Sequence, residues 1–94
     1  VQLYTMRIRT TYLAGDIDST LATARSLLRV IGYQIDRMEA NPVRPSDEAI
    51  EARSVQLAEI ERLMGEMALG ADRTSELEQI FATSESHKTR LFNL

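Results

Sequence analysis

DIDSTLATARSLLRVIGYQIDRMEA, residues 16–40, decides the fold. Its apolar positions Ile17, Leu21, Ala24, Leu28, Ile31, Ile35 and Met38 step by 4, 3, 4, 3, 4 and 3. That is the spacing of one face of an α-helix, held long enough to read as a heptad seam. Leu27 and Val30 widen the stripe beyond a two-stranded seam, which suits a bundle. Asp16 and Asp18 stand at the entry, where either can cap and where negative charge suits the helix dipole. Asn41-Pro42 ends the segment, because the residue before a proline is pushed out of the α region. A helix over 16–40 is roughly 37 Å long.

Outward from this rod, 41–45 is a linker with two prolines. Ser46-Asp47-Glu48 opens a second helix, expected over 46–69, with an N-cap residue followed by acids in the first turn. Ile50, Leu57, Ile60, Met64 and Met67 continue the same periodicity, with Val55 and Leu63 as a second edge. Gly70 is placed to terminate it. Ser75-Glu76-Leu77-Glu78 reads as a capping box for a third helix within 75–92. The polar run Ala82 to Thr89 predicts that this helix is short or broken. Residues 1–15 are ambiguous: Tyr4, Met6, Ile8, Thr10 and Tyr12 alternate like a strand, while Leu3, Met6, Thr10, Leu13 and Ile17 fit a helical seam. With no second strand to pair with, helix is preferred, interrupted near Gly15.

The expected fold is therefore all-α and a single domain: an antiparallel helical hairpin plus a shorter third helix, bundle-like, completed by self-association. Ninety-four residues build only a small core, which is why a partner is expected. The surface predicted to meet it is Ile17, Leu21, Leu28, Ile31, Ile35 and Met38 on one helix, with Ile50, Leu57, Ile60, Met64 and Met67 on the other.

Charge narrows the partners. Residues 1–44 carry six arginines against four acids, and residues 45–94 carry five bases against ten acids. An acidic second half argues against nucleic acid, which needs a concentrated basic face. The expected partner is a second copy or another helical protein. With no cysteine, disulfides and thiolate-ligated metals are excluded. A single histidine cannot build a multi-histidine zinc site, and no cofactor is expected. No run of 18 apolar residues is present, so any membrane contact would come from segments outside these residues. The opening Val1 predicts an excerpt or a processed product; the alternative is a start at Met6 after five leader residues.

Two places could carry chemistry. Arg25 and Arg29, with Tyr33, fall at i, i+4 and i+8 on one helix edge, where guanidinium groups can grip a carboxylate or phosphate. Salt bridges to the acidic second helix are the competing use. His87 lies in Phe81-Ala-Thr-Ser-Glu-Ser86-His87-Lys88-Thr89-Arg90. That run resembles the phospho-acceptor helix of bacterial histidine kinases, with Lys88 in place of the acid and no Thr-Pro after Arg90. The carboxylates fall in first turns or off the apolar stripe, so solvated positions are expected for Glu59, Glu61 and Glu66. Arg7 and Arg9 before a helix fit a ribbon-helix-helix DNA binder poorly, because the first helix is too long.

Ile17-Asp-Ser-Thr-Leu21 through Leu27-Leu-Arg-Val-Ile-Gly32-Tyr-Gln-Ile35 resembles the first helix of extracytoplasmic sensor domains in bacterial membrane-bound histidine kinases and diguanylate cyclases. The resemblance implies a non-enzymatic sensing or dimerisation segment of a signalling receptor. Its location would be extracytoplasmic. A free-standing helical adaptor or chaperone, in the cytoplasm, is the alternative.

Overall fold

The computed structural model describes residues 2–67 and 73–94. Four helices follow in order: α1 (Gln2–Leu13), α2 (Ile17–Ala40), α3 (Asp47–Glu66) and α4 (Thr74–Phe92). There is no strand among the described residues, so the all-α expectation holds and the ambiguous N-terminal segment is helix. Threonines fit there because Thr10 and Thr11 donate back to the Met6 and Arg7 carbonyls at 2.9 and 2.8 Å. Tyr4, Ile8 and Tyr12, one turn apart, face inward, and Ile8 is fully buried.

α1 turns into α2 through a short, well-satisfied corner. The N–H of Gly15 donates to the Tyr12 carbonyl and that of Asp16 to the Thr11 carbonyl, both at 2.9 Å. These are the two bonds of a Schellman closure, and Gly15 takes the left-handed conformation it requires, φ 79°. Asp16 then caps α2, accepting from the Ser19 N–H at 3.1 Å and from the Ser19 hydroxyl at 2.6 Å. Those bonds hold its carboxyl below the usual range, the hydroxyl being the larger cause. At the next corner Asn41 accepts from the Val43 N–H at 3.0 Å, and Ser46 caps α3 as predicted, accepting from Ala49 at 3.2 Å.

α2 lies mainly against α1 and α4, and α3 mainly against α4; α2 and α3 approach each other over a shorter stretch. α2 and α4 run in the same direction, since Asp18 pairs with Arg73, Arg25 with Glu76, and Asp36 with Arg90. α3 meets α2 in the opposite sense, with Arg53 donating to Gln34 at 3.2 Å. One core joins all four helices: Leu21, Leu28, Ile31 and Ile35 from α2, Leu57, Ile60 and Met64 from α3, Ile80 and Leu91 from α4, and Ile8 from α1.

Three details depart from the sequence reading. α4 is one continuous helix, not short or broken. Its polar middle is carried by packing of Ile80, Ser84 and Leu91, while the Thr83 and Thr89 hydroxyls are satisfied by carbonyls one turn back. It begins at Thr74 with Arg73 in the cap position and no side-chain cap bond, so the expected capping box does not form. Glu76 instead holds Arg25 and Arg73. Thirdly, the stripe assigned to a partner is placed inside the chain's own core. Leu21, Leu28, Ile31, Ile35, Leu57, Ile60, Met64 and Met67 are buried, and Ile17, Met38 and Ile50 pack against them. α1 and α4 supply the cover that self-association was expected to give. The expected end of the second helix at 69 and the Gly70 terminator lie outside the described residues; α3 ends at Glu66, with Met67 as its C-cap.

Candidate functional site: a cleft between α2 and α4

Arg25, Arg29 and Tyr33 do come together, on the α2 wall of a cleft of about 640 Å³. Leu28, Gly32 and Asp36 complete that wall; Gln79, Ile80, Thr83, His87 and Arg90 form the α4 side. The parallel course of α2 and α4 places these residues opposite each other turn by turn.

The charges inside are unevenly satisfied. Arg25 donates to Glu76 at 3.0 Å, so its ion pair is with α4, not with the acidic second helix. The Arg73 and Arg25 guanidinium groups hold the Glu76 carboxyl below its ordinary range. Arg90 pairs with Asp36 and Glu39 of α2, which pushes its guanidinium pKa up and that of Glu39 down. Arg29 is exposed at the lip and has no ion pair among the described residues. Tyr33 is also exposed, with the Arg37 guanidinium 5.9 Å from its ring centre.

His87 sits deeper. Its Nε2 lies 3.0 Å from the Leu28 carbonyl oxygen, and a carbonyl only accepts, so Nε2 carries a proton and donates. Its Nδ1 is buried and has no hydrogen-bond partner among the described residues. The ring lies close over Gly32: a Cβ there would meet His87 Cε1 at 3.0 Å and Nε2 at 3.1 Å, so the ring would have to give by a few tenths of an ångström. A phospho-acceptor must offer a ring nitrogen to a second protein. Here one nitrogen is bonded to α2 and the other is enclosed.

Glu61 also departs from expectation. Its side chain is only 15% exposed, because α4 covers it and Lys88 reaches it across the α3–α4 seam. Burial pushes its carboxyl up, against the opposing pull of Lys88, while Glu85 is pushed down by its bond to Glu61 and by Lys88. The group locks two helices together and lies outside the cleft lining. Glu59 and Glu66 both bind Arg62, as surface acids commonly do.

No family model, curated protein or solved structure matches the chain. Among the described residues, no helix is long and apolar enough to cross a membrane, and no cluster of three or more acids or histidine could hold a metal ion.

A second surface stands out on α1. Leu3, Met6 and Leu13 are 78, 63 and 83% exposed. With Thr10 they step by 3, 4 and 3, a heptad seam on the side opposite buried Ile8. Arg7 and Arg9 flank it; Arg9 leans to Glu59 at 3.8 Å, and Arg7 has no ion pair among the described residues. The sequence displays this seam, but periodicity alone does not say which of two apolar faces turns inward. His87 was harder to place in the cleft from sequence; the signal is Gly32 in the middle of a strong helix, where glycine costs about 1 kcal/mol relative to alanine.

Proposed function

We propose that this chain is a non-enzymatic helical segment of a bacterial signalling receptor, acting through helix–helix association. The observation that carries the reading is the α1 seam: three large apolar side chains at heptad spacing, left open by a fold whose core is closed from the other side. The likeness of residues 16–40 to the first helix of membrane-bound sensor domains supports the receptor setting. Signalling would then consist of a shift in how α1 packs, with no chemical step.

One feature favours the second reading, a free-standing adaptor. Counting Leu3 and Met6 as seam positions, Arg7 and Arg9 occupy the two flanks. Two copies of α1 laid together antiparallel would set arginine against arginine, whereas a helix with an acid-flanked seam would be attracted. Light scattering separates the two. A receptor segment dimerises, and Leu13→Glu returns it to a monomer of the same helical content. An adaptor stays monomeric but binds a synthetic leucine-seam helix flanked by glutamates, again through Leu13. Association that ignores Leu13→Glu, or no association of either kind, overturns the docking role of α1.

A further inference from the structure

We infer that α1 pairs in parallel with α1 of a second copy, so that Leu3, Met6 and Leu13 each meet their own counterpart across a two-fold axis. The inference rests on the docking role of α1 and names its occupant and its direction. In heptad terms Leu3 and Thr10 take the first core position, and Met6 and Leu13 the second. Arg7 follows Met6 on one flank of the seam, and Arg9 precedes Thr10 on the other. Flanking charges decide direction. In an antiparallel pair like flanks meet, so Arg7 opposes Arg7 and Arg9 opposes Arg9. Residues 1–15 hold no acid to offset them. In a parallel pair opposite flanks meet, one heptad apart. Arg7 then falls beside position 2 and Arg9 beside position 14, and neither Gln2 nor Ala14 carries a charge.

Two further observations agree with a second copy laid in this sense. Thr10 is the one polar residue of the seam, and a hydroxyl buried without a partner is costly. Here it donates to the Met6 carbonyl at 2.9 Å, within its own helix, so it enters a dry seam already satisfied. A β-branched residue at the first core position, followed by leucine at the second, also suits two parallel strands. The position farthest from a heptad seam is Ile8, and it is fully buried in the chain's own core, with Tyr4 and Tyr12 packed beside it. The rest of each copy therefore lies on the outer side of the pair, and Leu3, Met6 and Leu13 are open to each other.

The chain has no cysteine, so introduced thiols report on the pair without interference. Full-length Leu3→Cys and Leu13→Cys, one of them isotope-labelled, are mixed in equal amounts in a glutathione redox buffer. Oxidised glutathione takes up the two electrons as two thiols join. Both positions lie on the open face, so neither change reaches the core. A seam this short buries less than the ~1,200 Å² of a stable interface, so protein at roughly 500 μM is used. Masses identify the cross-linked products. Same-position dimers are expected to exceed the mixed dimer at least about tenfold. In a parallel pair residue 3 of one copy and residue 13 of the other lie about 15 Å apart along the axis, beyond the ~7 Å that a disulfide spans between Cα atoms. A predominant mixed dimer would overturn the parallel direction and leave the docking role of α1 standing. Products in the proportions of chance, or none, would overturn the pairing of α1 with itself and the dimerising receptor with it.

Discussion

At the scale of single residues, Gly32 and His87 form a matched pair on facing helices. Glycine costs α2 about 1 kcal/mol against alanine, and the imidazole lies so close over it that a methyl group there would press on the ring. Alanine at 32 thus has two opposed effects: better helix propensity, and crowding of a ring anchored to the Leu28 carbonyl. A double-mutant cycle resolves them. Gly32→Ala in a His87→Ala background should stabilise by about 1 kcal/mol; in the parent chain the methyl crowds the ring and that gain should shrink or reverse by about 1–3 kcal/mol. Urea unfolding of the four proteins measures this; additive effects would show that the ring does not sit on Gly32. The residue types at this contact are plain in the sequence, but 55 positions separate them. No local pattern says which glycine the histidine meets. Arg25 and Arg29 were legible because their partner relation is local, two successive turns of one helix.

Among the elements, α1 shows best what periodicity decides and what it leaves open. Its apolar residues cover two faces, Tyr4, Ile8 and Tyr12 on one and Leu3, Met6 and Leu13 on the other. Either could have been the core face. The structure turns the tyrosines and Ile8 inward, where the Thr11 and Thr20 hydroxyls also meet at 2.9 Å. Ile8→Ala should therefore cost about 2–4 kcal/mol and Leu13→Ala under about 0.5 kcal/mol, read from denaturant midpoints at constant slope. Similar costs at both positions would mean that α1 is not docked as described. α2 was readable end to end because its seam, its Asp16 cap and the Asn41-Pro42 stop agree. α4 was misread as short or broken because its polar middle lacks intrinsic helix preference. The packing of Ile80, Ser84 and Leu91 supplies the missing stability, and packing is not visible in a local window.

For the whole molecule, the long stripes that implied a missing partner are closed internally by four helices in a body 44 × 24 × 17 Å. Among the described residues, the outer side of α1 is left as an open apolar face. The methionines report directly on this inversion. Met6 is 63% exposed on the open face, and Met64, 1% exposed, lies on the stripe first assigned to a partner. Peroxide oxidation at low protein concentration, followed residue by residue by mass spectrometry, compares the two in one sample. Met6 should oxidise at least about tenfold faster than Met64, at a rate close to that of a free peptide. Equal rates, or Met64 reacting first, would mean that the α2–α3 stripe is the open surface after all and would contradict the account.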